Sequence, residues 1–311
     1  MTNVYYDSDM SDEERRKRLY RGDLFVYSPT PSTAALCRHA RSMVEEAFAP
    51  NDPRTIHRDL PVERCVEVLA KVKPAFIHHP RCKELIPTAL KELGCDLERT
   101  YFDVPRLRSA MPQDYLTSGI AYAFHPHRDT WYSAPQFQLN WWLPVYPLSP
   151  ENCLAFHPRY FDTPVKNGSA GYNYYRWNAQ NRGSAAQHVT ADTRVQPKPE
   201  EPMELDPQIR LIPKPGSVIL FCGAQMHSTV PNTAGTCRYS IDFRTVNLDD
   251  AANRHGAPNI DSACTGTTMR DYLRAADLAH IPEDIIRLYD DGTEQEGLLV
   301  YTPGADKKVP A

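Results

Sequence analysis

The segment KPGSVILFCGAQMHSTVPNTAGTCRYSIDFR, Lys214 to Arg244, decides the fold. A Pro-Gly turn leads into SVILFC, a short unbroken apolar run of the kind that crosses a buried sheet. The segment closes on RYSIDFR, where Tyr239, Ile241 and Phe243 alternate with Arg238, Ser240, Asp242 and Arg244, so that one strand face is apolar and the other charged. A polar strand face is ordinarily the wet side of an antiparallel sheet, but inside a small barrel it lines a cavity. His227 stands between the two strands.

The same alternation recurs upstream. In QFQLNWWLP, Phe137, Leu139, Trp141 and Leu143 face one way, and Gln136, Gln138, Asn140 and Trp142 the other. TSGIAYAF, Thr117 to Phe124, predicts a further strand. Together these runs imply an antiparallel β barrel or sandwich with helices packed outside it. The helices come mostly before residue 100. STAALCRHARSMVEEAF sets Leu36, Ala40, Met43, Val44, Ala47 and Phe48 on one stripe, with Ser32 or Thr33 as N-cap. PVERCVEVLAKV repeats the pattern with Val62, Val66 and Leu69, and PTALKELG ends at a glycine suited to a C-cap. MRDYLRAADL predicts one helix in the tail after Asn247. Residues 162–204 are polar, dotted with aromatics and without a period, which is long for an ordinary loop; they read as a lid over a site or as a surface excursion.

Composition excludes several function classes. With 41% hydrophobic and 24% charged residues among 311, the chain has the make-up of a globular protein, and no apolar run approaches the ~18 residues a membrane span needs. A formal net charge of −4 provides no general attraction to nucleic acid or to an anionic membrane, so the expected partner is a small molecule. The eight cysteines include no C-x-x-C pair and read as reduced thiols rather than a zinc ribbon. The charged start, MTNVYYDSDMSDEERRKRLYRGD, carries no apolar signal region, and a cytoplasmic location is the expectation. The oligomeric state is not encoded in any feature of the chain.

Chemistry concentrates in AYAFHPHRDTW, Ala121 to Trp131. If it is a strand, alternate residues share a face, and any two of His125, His127 and Asp129 could chelate one ion. An Fe(II) centre for oxygen chemistry needs two imidazoles and one carboxylate on one face with adjacent positions left open. His127 and Asp129 provide the close pair, and His227, 227 − 129 = 98 residues on, is the candidate third ligand. An anionic cosubstrate needs an anchor, and Arg238, 238 − 227 = 11 residues later, shares its strand face with Ser240, so guanidinium and hydroxyl can grip one carboxylate. The alternative set His125, His127 and His227 would make a three-histidine cupin site and leave Asp129 and Arg238 without roles.

At HPHRDTWY, LPVYPLSPENCLAFHP and the Lys214 to Arg244 segment, roughly residues 117–160 and 211–245, the chain resembles the Fe(II)/2-oxoglutarate-dependent oxygenases of the phytanoyl-CoA dioxygenase-like branch. The resemblance implies a mainly β protein with flanking helices around a double-stranded β-helix (jelly-roll, cupin-like) core. It implies one domain over 1–311, with 1–99 mostly helical, 100–247 the core interrupted by the 162–204 insertion, and 248–311 a C-terminal extension. His127, Asp129 and His227 then hold Fe(II), and Arg238, Ser240, Trp142 and Asn140 surround the 2-oxoglutarate cosubstrate. The implied reaction converts 2-oxoglutarate and O2 to succinate and CO2 while an unactivated C–H bond is oxidised, by hydroxylation, desaturation or cyclisation. An intact Asp129 points to an oxygenase rather than a halogenase. The polar strand faces point to a small polar or carboxylated substrate, with His125, Tyr122, Trp131, Gln138, Arg244 and Tyr175 as candidate contacts. Two other readings stand beside this one: a cupin-type dioxygenase or isomerase without 2-oxoglutarate, and a non-catalytic β-helix binding module.

Overall fold

A computed structural model describes residues 2–294. The last part of the expected C-terminal extension, 295–311, lies outside the described residues. The strands are β1 (Val4–Tyr6), β2 (Leu24–Tyr27), β3 (Thr100–Phe102), β4 (Arg106–Ala110), β5 (Leu139–Pro144), β6 (Leu154–Phe156), β7 (Ile209–Leu211), β8 (Val218–Cys222), β9 (His227–Thr229), β10 (Arg238–Asn247) and β11 (Leu273–Arg274). The larger sheet runs β1-β2-β8-β5-β10-β3-β11, with β4 also paired to β10, and the smaller runs β7-β6-β9.

β10 organises the larger sheet because both of its edges are taken. On one side Ser240 pairs with Pro144 and Arg244 with Asn140; on the other Arg238 pairs with Ala110 and Asp242 with Arg106. Paired residues point to the same face. The apolar face of β10, Tyr239, Ile241 and Phe243, therefore meets Leu143, Trp141 and Leu139 of β5 in the main core, where Trp141 stacks on Phe243 at 5.7 Å between ring centroids. Each of these side chains is buried, worth about 2 kcal/mol apiece in apolar area removed from water.

Helices α1 (Asp12–Leu19), α2 (Pro31–Phe48), α3 (Ile56–Asp59), α4 (Val62–Ile77) and α5 (Pro80–Glu92) close this core from outside, through Leu36, Ala40, Val44 and Phe48 of α2 and Val66, Leu69 and Phe76 of α4. α2 starts earlier than its sequence predicts. Thr30, not Ser32 or Thr33, is the N-cap; Thr33 returns a bond to the Thr30 amide at 2.9 Å, and Pro31 occupies the first turn, where it needs no donor. α5 ends before Gly94, whose φ of +79° makes the αL turn that PTALKELG predicts. No helix among the described residues is long and apolar enough to cross a membrane.

Two predicted elements are not formed. TSGIAYAF is no strand; a 3₁₀ turn covers Gly119–Ala121. The cause is Gly119, at φ +57°, where a Cβ would lie 2.3 Å from the carbonyl oxygens of Ala185 and His188. The chain there is pressed beneath the 162–204 insertion, and Ser118 Oγ donates to the His188 and Val189 carbonyls at 3.0 and 2.7 Å. MRDYLRAADL is no helix either. A 3₁₀ turn over Thr268–Asp271 gives way to β11, where Leu273 pairs with Phe102. The insertion itself contains α6 (Tyr174–Gln180) and two 3₁₀ turns, Gly168–Gly171 and Arg182–Gln187.

Candidate metal centre and its cavity

A cavity of about 340 Å³ opens between the two sheets, within the size range of small-molecule sites. Its walls come from β4, β5, β8 and β10 of the larger sheet, β6 and β9 of the smaller, and the insertion. The charged face of β10 turns into it: Arg238, Asp242 and Arg244 line it while Tyr239 and Ile241 lie behind.

His127, Asp129 and His227 meet at one edge, with their ligand atoms all within 4.8 Å of one another. His127 is not on a regular strand. It forms an isolated antiparallel bridge with His227, His127 N to His227 O at 2.9 Å and the reverse at 3.0 Å, which sets the two rings 4.3 Å apart. Asp129 then begins a 3₁₀ turn, Asp129–Tyr132, so the close pair is made by a bridge and a turn rather than by strand alternation.

The protonation pattern follows from the partners. His127 Nδ1 lies 2.8 Å from the His125 carbonyl and His227 Nδ1 lies 2.9 Å from the Gln225 carbonyl. A carbonyl only accepts, so both Nδ1 atoms carry a proton, and in the neutral rings the Nε2 atoms present the lone pairs. These face Asp129 Oδ1 at 3.5 and 3.9 Å. Burial, helped by His127, pushes His227 down to about 4, which keeps it neutral at neutral pH. Burial pushes Asp129 up, but contact with His127, then positive charge beside it, on the two imidazoles when protonated and on Arg244, outweigh this and hold the carboxyl well below its usual range. In the neutral form of both rings two nitrogen lone pairs and a carboxylate oxygen converge, an arrangement that a cation relieves. The donor set fits Fe(II), and its open side faces the cavity.

Asp129 is itself oriented. Gln138 Nε2 donates to its Oδ2 at 3.1 Å, and Gln138 Oε1 accepts from the Tyr272 hydroxyl at 2.8 Å, leaving Oδ1 to the histidines. Arg128, between the ligands, is buried and not a surface charge. Its guanidinium donates to the carbonyls of Ala224 at 2.6 Å, Tyr160, and Thr163 at 3.0 Å, and to Asp261 Oδ2 at 3.1 Å.

The cosubstrate candidates share one property. Arg238 Nε and Nη1, Ser240 Oγ and Asn140 Nδ2 are buried with no hydrogen-bond partner among the described residues. A buried charged donor without an acceptor is costly, and burial has pushed Arg238 down to about 10. These donors fit an anionic carboxylate. Trp142 flanks them, its ring 5.5 Å from the Arg238 guanidinium carbon.

The substrate candidates divide. Tyr122 and Arg244 line the cavity. Four others do not line it. Trp131 is fully buried with Nε1 donating to Asp261 Oδ1 at 2.8 Å. Gln138 serves Asp129. Tyr175 is buried behind the wall, which presents Tyr172, Tyr174 and Trp177 instead. His125 is held by the Tyr122 hydroxyl at 3.0 Å and the Pro197 carbonyl at 2.9 Å, so both ring nitrogens are engaged and the three-histidine arrangement lacks a ligand.

One cavity residue was missed. Lys73 of α4 lies buried in the wall, its ammonium donating to Ser109 Oγ at 2.9 Å and to the Ile120 carbonyl, and burial, then Arg108, push it down to about 7. It had a signal: Lys73 occupies the position four after Leu69 on the apolar stripe of α4, where a lysine belongs only if something inside receives it.

No protein-family model and no curated protein matches this chain. Solved structures that it resembles include EvdO2 from Micromonospora carbonacea var. aurantiaca complexed with 2-oxoglutarate, at 14% identity over 76% of this chain and 91% of that one, with a TM-score of 0.41. Others are the non-haem α-ketoglutarate-dependent carbocyclase SnoK from nogalamycin biosynthesis, at 13% identity, 81% and 94% coverage and TM-score 0.37, and apo EctD from S. alaskensis, at 14%, 79% and 82%, and 0.38.

Proposed function

We propose that this chain is a non-haem Fe(II)/2-oxoglutarate-dependent oxygenase of the phytanoyl-CoA dioxygenase-like type, built on a double-stranded β-helix as one domain over 1–311. It oxidises an unactivated C–H bond of a small polar or carboxylated molecule, by hydroxylation, desaturation or cyclisation. The observation that carries the reading is the pairing of two unmet demands in one cavity: three converging lone-pair donors at His127, Asp129 and His227, and unpartnered buried donors at Arg238, Ser240 and Asn140.

In this reading the two Nε2 atoms and Asp129 Oδ1 bind Fe(II), with Gln138 and the two backbone carbonyls fixing their orientation. Arg238 and Ser240 take the far carboxylate of 2-oxoglutarate, and Trp142 walls its carbon chain. When bound, iron and 2-oxoglutarate supply the oxidising power, with O2 reduced and the keto acid converted to succinate and CO2. The chain positions the substrate between the metal edge and the insertion, where Tyr172, Tyr174 and Trp177 exclude water.

The test is an anaerobic titration of Fe(II)-loaded protein with 2-oxoglutarate, following the visible charge-transfer band of a chelated keto acid. The band appears in the wild type and is lost in Arg238→Ala at the same concentration. Iron-loaded protein that shows no band would refute the cosubstrate assignment.

A further inference from the structure

The cavity wall around Arg244 carries more positive charge than it neutralises. Arg106 and Arg244 share a single carboxylate, Asp103, at 2.7 Å from Arg106 Nη1 and 2.6 Å from Arg244 Nε. Arg182, on the insertion, is held by the neutral carboxamide of Asn178, Nη1 to Oδ1 at 2.5 Å. Apart from Arg238, the other guanidiniums of the cavity are matched one to one, Arg108 with Asp242 at 2.6 Å and Arg194 with Asp192 at 2.5 Å. The acid beside Tyr174, Asp271, accepts the tyrosine hydroxyl, and with Asp103 it sets two carboxylates against the three guanidiniums of Arg106, Arg182 and Arg244.

This wall lies away from the Arg238 end of the cosubstrate anchor, and Asn140, paired with Arg244 across the sheet, is the one anchor residue beside it. Arg244 lies 244 − 238 = 6 residues along β10 from Arg238, about 20 Å at a strand's rise, so one strand offers an anion site at each end of the cavity. Beside Arg182 the wall is aromatic, through Tyr172, Tyr174 and Trp177. A buried surplus of guanidinium in an enclosed, partly apolar space favours an anionic guest, and planar guanidinium suits carboxylate or phosphate oxygens.

We propose that Arg106, Arg182 and Arg244 form the seat for an acidic group on the primary substrate, so that the molecule oxidised at the His127, Asp129 and His227 edge is an organic anion whose body lies on Tyr172 and Trp177. The inference rests on the oxygenase reading for its chemistry, but the seat is a binding property that can be measured apart from turnover.

The experiment uses the full chain loaded with Fe(II) and saturated with 2-oxoglutarate under anaerobic conditions, so that the Arg238 anchor is filled. Calorimetry then compares benzoate and phenyl phosphate with benzamide, their uncharged counterpart. Arg182 is half-buried in the cavity wall, and Arg182→Gln removes its charge with little change of volume. One of the two anions should bind at least about tenfold more tightly than benzamide, and that preference should fall to near unity in Arg182→Gln and return in Arg182→Lys. Which anion wins separates a carboxylate from a phosphate ligand. Equal binding of benzamide, no binding of either anion, or a preference undiminished in Arg182→Gln would overturn the proposal. Failure of the oxygenase reading looks different: the charge-transfer band is then absent before any probe is added, and the anion preference is still read in that same protein.

Discussion

Arg238→Met should make the protein more stable and unable to respond to 2-oxoglutarate. The guanidinium is buried, and its Nε and Nη1 have no partner among the described residues. Holding it near 10 instead of its usual 12.5 costs about 3 kcal/mol at 1.36 kcal/mol per tenfold change in proton affinity. The folded value is depressed, so the full cost is present below about pH 10 and eases only as the pH climbs from there toward the range of the unfolded group. Methionine keeps much of the side-chain volume and none of the charge. At about 2 °C per kcal/mol for a chain of this size, the variant should melt about 6 °C higher than the wild type in the absence of metal and cosubstrate. The wild type recovers the difference when the anchor is filled, because a ligand at 100 times its Kd adds about 2.7 kcal/mol. Scanning fluorimetry of both proteins, with and without Fe(II) and 2-oxoglutarate under anaerobic conditions, reads all four states. A variant that melts lower than the wild type and still gains from 2-oxoglutarate would refute the reasoning, since Arg238 would then be satisfied by the fold and not by a ligand.

His127→Ala and Asp129→Ala should each abolish stoichiometric Fe(II) binding while the circular dichroism spectrum stays unchanged; a large fall in melting temperature without loss of iron would mark them as core residues. Gln138→Leu leaves the ligands in place but frees Asp129 to rotate, and should weaken Fe(II) about tenfold or more in a competition titration against a colorimetric chelator. Lys73 is held near 7 in the fold, so between pH 7 and 10 the unfolded chain binds more protons; wild-type stability in urea should rise across that window by up to about 4 kcal/mol relative to Lys73→Met, which lacks the titrating group. Asp261→Ala strands the Arg128 guanidinium without its only carboxylate partner among the described residues, and the urea midpoint should fall by the equivalent of about 3 kcal/mol or more.

What the sequence disclosed depended on how far each residue's environment was set by its neighbours in the chain. β10 was legible in full: strict alternation from Arg238 to Arg244 reports one buried face and one cavity face, and the pairing with β4 and β5 keeps that assignment. Its spacing from His227 was legible for the same reason. The local geometry at His127 was not, because the bridge to His227 and the turn at Asp129 arise from residues about a hundred positions away. Residues 269–278 show why a period can mislead. Met269, Tyr272 and Leu273 are buried at helical spacing, yet Tyr272 reaches Gln138 and Leu273 is drawn into a strand by Phe102. Gln138 was read as a substrate contact from the polar face of its strand and Trp131 as a pocket aromatic; the structure gives the one to Asp129 and the other to Asp261. Tyr175 was one residue from Tyr174, which lines the cavity, and within a short helix a single position turns a side chain by about a quarter of a revolution.

The contacts of Arg128 bear on how this protein could be re-engineered. One side chain, seated between two of the proposed metal ligands, fastens the backbone at Tyr160, Thr163 and Ala224 and the side chain of Asp261. Asp261 in turn accepts the Val165 amide at 3.0 Å, so the first residues of the insertion are stitched to the ligand-bearing turn itself. The insertion is therefore not an exchangeable cassette with cut points at its own ends. A chimaera that imports another chain's 162–204 segment to alter selectivity must also import carbonyls that meet Arg128 and an amide that meets Asp261, or the transplanted cover will arrive with the proposed metal-binding turn out of register.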